Sequence, residues 1–277
     1  MESLKQKFER LKTLLREMDR VAIAFSGGVD STFLLKVAHD VLGDRAVAVT
    51  VRQRSFPERE LRESEDFCTR ENITHVVREH DELSIEGFAQ NPKDRCYLCK
   101  KSVFGLIGQV AGELSLRYIC EGSNTDDNRD YRPGHRAIAE LGIRSPLRDC
   151  GFSKADIREL SRQLNLPTAE KPSFACLSSR FVYGETITEQ KLRMVEKGEE
   201  FLRTLGIKQL RVRIHGENVA RIEVLPENFD TVLKNRELIF ATFKNIGFAY
   251  VSLDLQGYRT GSMNETLPAT ERSTAAI

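Results

Sequence analysis

The run Val21-Ala22-Ile23-Ala24-Phe25 passes straight into Ser26-Gly27-Gly28-Val29-Asp30-Ser31 and from there into Thr32-Phe33-Leu34-Leu35-Lys36-Val37-Ala38. An apolar run of strand length, a turn with two glycines and an apolar helical stretch describe a buried strand whose carboxyl end feeds a helix N-terminus. Glycines let the backbone approach an anion closely, and the free amides of a first helical turn point at it. The loop is therefore expected to hold phosphates. It lacks the Gly-Lys-Ser/Thr ending of a Walker loop, and Asp30 puts a carboxylate where a bare anion site would avoid one. A Mg2+ ion bound with a nucleotide explains that carboxylate. The plain alternative is an ordinary glycine turn with a helix cap at Asp30 or Ser31.

The hexapeptide resembles the pyrophosphate loop (PP-loop) of ATP pyrophosphatases, which cleave ATP between the α- and β-phosphates and adenylate an oxygen of the substrate. Around it, strands and helices alternate. An amphipathic helix carrying Leu4, Phe8, Leu11, Leu14, Leu15 and Met18 comes first, and Ala46 to Val51, Thr74 to Val77 and Arg117 to Glu121 read as further strands. Charged or mixed helical stretches lie between them, at about 57–72, 97–114 and 153–164. Such alternation implies a parallel sheet covered by helices, with the ligand at the carboxyl ends of the strands.

The rhythm changes around Phe174 to Thr188, and a domain boundary is expected there, giving residues 1–182 and 183–277. The second, smaller α/β domain should contain a helix near 189–205 and two half-exposed strands, 210–214 and 219–224, turning at Gly216 and Asn218. One helix from about Asn228 to Ile246 and a strand over 250–255 should follow, then a disordered tail after about 267. At 277 residues, two domains are the default. The N-terminus lacks the apolar core of a signal peptide, no apolar run approaches bilayer length, and a cytoplasmic protein is expected. A net charge of +1 argues against a long nucleic-acid footprint.

Six cysteines in a reducing compartment suit metal ligands, catalytic thiols or core positions better than disulfides. Cys96-Tyr97-Leu98-Cys99 can clasp a metal centre, and half a zinc site, a redox dithiol or two surface thiols are the alternatives. A third thiol, Cys176, lies in Phe174-Ala175-Cys176-Leu177-Ser178-Ser179-Arg180-Phe181, and three thiolates could hold three irons of a cubane cluster. Cys68, Cys120 and Cys150 read as small apolar residues. Glu121-Gly122-Ser123-Asn124-Thr125-Asp126-Asp127 follows a strand and resembles the acidic turn that faces the pyrophosphate loop, with Asp127 preferred over Asp126 for Mg2+. Arg211 and Arg213 share one strand face, and with Arg180 and Arg259 they suit a phosphomonoester, although a solvated face gives the same pattern. Glu200, Glu223 and Asp230 are candidates for the same face, or ordinary surface carboxylates.

The chain resembles the LarE family of ATP-dependent sulfur transferases over nearly its whole length. The resemblance is carried by Ser26 to Ser31, Asp130-Tyr131-Arg132-Pro133-Gly134, Cys176 to Gly184, Leu210-Arg211-Val212-Arg213-Ile214-His215 and Leu253-Asp254-Leu255-Gln256-Gly257-Tyr258-Arg259. It implies a PP-loop domain in which Ser26, Gly27, Gly28, Asp30, Ser31, Gly122 and Asp127 serve ATP and Mg2+. The implied substrate is pyridinium-3,5-biscarboxylic acid mononucleotide, its phosphate anchored by Arg180, Arg211, Arg213 and Arg259. Some relatives have only the cysteine matching Cys176 and sacrifice its sulfur. With Cys96 and Cys99 added, this chain resembles the members whose three cysteines hold a [4Fe-4S] cluster carrying a sulfide, with a sulfide donor as partner. A ring-like hexamer is implied as well. The rivals are a [4Fe-4S]-dependent tRNA thiolase, a synthetase delivering ammonia to the adenylate, and a nucleotide sensor with structural zinc. Near-neutral charge and the Cys176 segment disfavour the first, and the second lacks a glutaminase domain.

Overall fold

Strand β1 (Val21–Ala24) is buried on both faces, Val21 and Ile23 in one apolar cluster and Ala22 in another. Its neighbour β2 (Ala46–Arg52) does the same by alternation, with Ala46 and Ala48 on the first side and Val47, Val49 and Val51 on the second. Strands β3 (His75–Glu79) and β4 (Tyr118–Cys120) complete a four-stranded sheet of order β3-β2-β1-β4, and every pairing is parallel. This is the doubly covered sheet expected from the alternation of elements. In a computed structural model of the chain, residues 2–129, 134–172, 175–259 and 261–262 are described. Asp130 to Pro133 of the resemblance motifs, Phe174 and the tail after about 267 lie outside the described residues.

Helix α1 (Leu4–Met18) opens on a capping box between Ser3 and Gln6 and buries Leu11, Leu15 and Met18 in the first cluster. Helix α2 (Val29–Leu42), which leaves the glycine loop, adds Phe33, Leu34, Leu35 and Val37 to it. Helix α3 (Glu58–Arg70) contributes Phe67 and Cys68. The other face is covered by α4 (Arg95–Glu113), through Phe104, Ile107 and Val110, and by Ile138 of α5 (Gly134–Glu140). A one-turn helix, α6 (Pro146–Asp149), and α7 (Lys154–Gln163) follow, and α7 starts on a second capping box, Ser153 with Asp156. Helices α5 and α6 were not anticipated; each is shorter than the window over which helical periodicity declares itself.

The described residues divide into two compact units, those of Met1–His80 and Cys96–Phe174, and those of Asp81–Arg95 and Ala175–Ser273. The division differs from a single cut after residue 182, because Asp81–Arg95 joins the later part of the chain. Its backbone bonds give the reason: Gly184 N donates to Asn91 O at 2.9 Å and Ile187 N to Ala89 O at 2.8 Å.

In the second unit, α8 (Glu189–Thr204) packs at Gly198 on β5 (Leu210–His215) and on Phe243, where an added Cβ would come within 3.6 Å of Val212 Cγ1 and 3.2 Å of the Phe243 ring. Strands β5 and β6 (Val219–Val224) form the expected antiparallel hairpin, with Leu210 opposite Val224 and positive φ at Gly216 and Asn218. Helices α9 (Phe229–Lys234) and α10 (Arg236–Ile246) lead to β7 (Tyr250–Leu253), which pairs parallel to β6. The single helix expected over 228–246 is interrupted at Asn235, whose side chain donates 2.8 Å to Thr231 O and ends α9. Strand β5 is not half-exposed as expected but buried from Leu210 to Ile214. Its polar face is covered too, because Arg213 donates to Ser179 O and Arg211 lies over the Tyr258 ring.

Candidate functional site

Gly27 adopts φ +67°, and a Cβ there would fall 2.4 Å from Ser64 Oγ of α3, so the loop requires glycine for both conformation and space. Gly28 caps α2, and Ser31 Oγ reaches back to Gly28 O at 3.2 Å and lies 3.2 Å from Ser26 Oγ. The two hydroxyls and the first-turn amides of α2 make a donor-rich end of the kind that binds phosphate. Opposite, Gly122 comes so close that a Cβ would meet Ser31 N at 3.0 Å and Asp30 Cβ at 3.2 Å. The acidic turn and the loop are thus in contact within the first unit, as the sequence suggested.

Asp30 is the electrostatic centre of this end. Lys154 Nζ of α7 pairs with Oδ2 at 2.6 Å, while Oδ1 is buried with no hydrogen-bond partner. Burial raises the Asp30 pKa above the usual carboxylate range, and Lys154 only partly offsets it. An orphaned carboxylate oxygen beside phosphate-binding amides fits a divalent cation held with a nucleotide. In the acidic turn the two aspartates divide the work: Asp127 Oδ2 accepts from Asn124 N at 3.0 Å, and Asp126 Oδ2 accepts from Lys154 N at 2.8 Å. Asp127 also adds its charge to the field at Asp30.

Two lysines went unnoticed in the sequence. Besides Lys154, Lys171 Nζ donates 3.0 Å to Gly27 O and pairs at 2.6 Å with Glu60 and with Glu63. The one available hint was Lys154 in the first turn of a helix, against the helix dipole. Nothing local marked Lys171, because its partners are 144 and 108 residues away.

At the base of the loop, Thr50 Oγ1 donates to Phe25 O at 2.7 Å, so the His75 Nε2 found 2.8 Å from that hydroxyl donates to it. Burial lowers the His75 pKa, so the folded protein holds the ring neutral. That contribution to stability is present above the unfolded pKa, about 6.5, and is lost as pH falls below it. His75→Gln should shrink the fall in melting temperature between pH 7 and pH 5; an unchanged difference would refute the assignment.

The six thiols separate cleanly. Burial pushes Cys68 and Cys120 up to about 12 and raises Cys150 too, so these three are protonated core residues. Cys96 is exposed, and Cys99 and Cys176 are half-buried. Cys96 and Cys99 lie one turn apart at the start of α4, and Gln53 Nε2 donates to Cys99 Sγ at 3.4 Å. Among the described residues no three His, Cys, Asp or Glu side chains gather closely enough to hold a metal ion. What fits an iron–sulfur group is the chemistry of the donors, three thiols outside the core.

The structure gives Arg180 a different task from the phosphate anchor expected. It is 1% exposed and forked onto Glu199, Nε to Oε1 at 2.7 Å and Nη2 to Oε2 at 2.9 Å, while Nη1 reaches Ala175 O, Cys176 O and Ser179 Oγ. Burial works against the Arg180 charge, but Glu199 more than offsets it and raises the pKa; the same pairing lowers that of Glu199. The acidic residue that matters on α8 is therefore Glu199 and not the exposed Glu200. Arg213 is also largely engaged, with Ser179 O, Glu223 and Ser262 Oγ at 2.8–2.9 Å, although its buried Nε–H has no hydrogen-bond partner. Arg211 is 6% exposed, and burial first and the Arg180 charge second lower its pKa. A buried cation crowded by other cations is a natural seat for an anion. Arg259 donates to Gly257 O at 3.0 Å and lies 3.6 Å from Asp254. Glu223 is buried and paired with Arg213 and Arg221, while Asp230 is exposed.

No family model matches the chain. Among curated proteins, it is 35% identical to the pyridinium-3,5-bisthiocarboxylic acid mononucleotide synthase of Lactiplantibacillus plantarum over 277 residues, covering 100% of both chains. It is 43% identical to an uncharacterized Synechocystis protein over 266 residues, 95% of this chain and 99% of that one. A more distant relative is one of the subunits of the glutamine-hydrolyzing GMP synthase of Thermoplasma volcanium, 24% identical over 191 residues, 64% of this chain and 61% of that one. Among the described residues no helix is long and apolar enough to cross a membrane.

Proposed function

The chain belongs to the LarE family of ATP-dependent sulfur transferases within the PP-loop superfamily, and we propose that it converts the carboxylates of pyridinium-3,5-biscarboxylic acid mononucleotide to thiocarboxylates for a nickel-pincer cofactor. The observation that carries the activation half is Asp30: a half-buried carboxylate whose Oδ1 is buried and without a hydrogen-bond partner, in the first turn of the phosphate-loop helix. Ser26, Gly27, Gly28 and Ser31 hold the β- and γ-phosphates of ATP. Asp30, with Asp127 across the Gly122 contact, would hold Mg2+, whose charge would stabilise the departing pyrophosphate. A substrate carboxylate oxygen bonds to the α-phosphorus, and the bond to the β-phosphate oxygen breaks, with its electron pair leaving on pyrophosphate. An acyl-adenylate results. The step is needed because a carboxylate oxygen is a poor leaving group until phosphorylated.

Cys96, Cys99 and Cys176 would hold a [4Fe-4S] cluster, which when bound would supply a sulfide nucleophile. Given a sulfide, the carbonyl carbon of the adenylate would form a bond to sulfur while its bond to the AMP oxygen breaks, the electron pair leaving with AMP. Arg211 and Arg259 anchor the mononucleotide phosphate, with Arg213 contributing only its Nε–H, and that remote anchoring orients the reacting carboxylate. A sulfide donor would supply the transferred sulfur. As a homo-oligomer, the protein would cover the exposed Leu233, Leu238, Phe240 and Tyr250 of the second unit.

The test is anaerobic incubation of iron- and sulfide-loaded protein with ATP, Mg2+ and the biscarboxylate mononucleotide. Pyrophosphate, AMP and a product heavier by about 16 mass units for each oxygen replaced by sulfur are expected. Pyrophosphate without sulfur incorporation would reject the transferase reading.

A further inference from the structure

Within residues 175–180, the carbonyls of Ala175, Cys176, Ser178 and Ser179 all accept hydrogen bonds from buried guanidinium groups. Arg180 Nη1 reaches Ala175 O at 2.7 Å and Cys176 O at 3.1 Å; Arg95 Nη1 reaches Ser178 O at 2.9 Å; Arg213 Nη1 reaches Ser179 O at 2.8 Å. All three arginines are at most 5% exposed. Each is fixed by a partner on a different segment: Arg180 by Glu199 of α8, Arg213 by Glu223 of β6, and Arg95 by Asn91 Oδ1. Glu199 ties the assembly to β5 as well, by accepting from Val212 N at 3.1 Å.

Leu177–Arg180 forms one 3-10 turn in which Cys176 O and Ser178 O already accept from Ser179 N at 3.0 Å and Phe181 N at 3.4 Å, and water could satisfy the remaining carbonyl capacity at far less cost than three buried cations. Guanidinium groups provide what water does not, a planar set of donors at fixed angles, themselves locked in place. In the segment they grip, Leu177, Ser178 and Arg180 are buried, whereas Cys176 stays half-exposed. We propose that Arg95, Arg180 and Arg213 form a cradle that presents the Cys176 sulfur in one fixed position, with Arg180 and its counter-ion Glu199 as the principal positioning residues. The proposal rests on the reading that Cys176 handles sulfur, and it explains why arginines expected at the substrate phosphate face the loop backbone instead. Sulfur transfer to a bound carbonyl tolerates little misplacement, so a pinned loop serves the rate.

Hydrogen exchange resolved by peptide, on metal-free protein, tests the cradle independently of catalysis. Arg180→Lys keeps the charge and loses the fork; exchange over 175–181 should quicken about tenfold, with α10 peptides and near-ultraviolet dichroism unchanged. Arg95→Lys should do the same through Ser178 and serves if Arg180→Lys fails to fold. In loaded enzyme, Arg180→Lys should slow thiocarboxylate formation about tenfold, with the KM for the mononucleotide and the rate of pyrophosphate release unchanged. Unchanged exchange in a folded variant, or a raised KM with undiminished transfer, overturns the proposal. Faster exchange in the variants, together with no thiocarboxylate from the parent protein, upholds the cradle and rejects the transferase reading.

Discussion

Asp30→Asn should lower pyrophosphate release by about three orders of magnitude, some 4 kcal/mol of transition-state stabilisation, while the protein stays folded. The carboxylate is half-buried beside the phosphate loop, its buried Oδ1 has no hydrogen-bond partner, and Lys154 offsets only part of the cost of burying its charge. A folded pKa raised above the unfolded value means that the ionised form costs native stability at neutral pH. That cost appears as pH rises through the unfolded pKa and is complete above the folded one. Asn removes it, so the variant should melt no lower than the parent at pH 7, and the gap should close toward pH 3. Loss of activity with stability retained or raised is the mark of a group strained for function. Steady-state pyrophosphate assays and thermal melts at the two pH values check both halves. A variant that releases pyrophosphate at the parent's rate would remove Asp30 from the mechanism.

Cys176→Ser should abolish thiocarboxylate formation and leave pyrophosphate release within about twofold, because the group lost belongs to transfer and not to activation. A serine hydroxyl at neutral pH is neither a sulfur carrier nor a soft ligand for iron. Cys96→Ser and Cys99→Ser should share the loss of bound iron after anaerobic reconstitution. Cys68→Ala should keep the iron, since that thiol is a buried, protonated core residue. Product mass and iron analysis on the same preparations decide the matter; full iron retention in any one of the three serine variants removes that cysteine from the ligand set.

Much of the first unit was legible because its signals are short-range. The strand, the two glycines and the helix follow one another within the chain, and β2 alternates between two apolar clusters as a doubly buried strand must. The apolar face of α1 and the β5–β6 turn were equally readable, since periods of 3.6 and 2 reveal themselves over a few residues. Helices α5 and α6 are too short to announce a period. The break at Asn235 hides inside an otherwise continuous apolar pattern, because it depends on one side chain ending one turn.

The chemistry of the sites divides along the same line. Residue order alone pointed to the phosphate loop, the Cys-x-x-Cys pair and the third thiol in its loop, for these depend on which residues are neighbours in the chain. Charge pairing depends on neighbours in space, and only the folded chain decides it. Lys154 meets Asp30 across 124 residues and Lys171 meets Gly27 across 144, so neither could be read from spacing. Arg180, Arg211 and Arg213 looked equivalent as cations in the sequence. Their surroundings separate them: Arg180 is forked onto Glu199 and grips loop carbonyls, Arg213 holds Ser179 O and Glu223, and Arg211 donates to Leu210 O and lies over the Tyr258 ring.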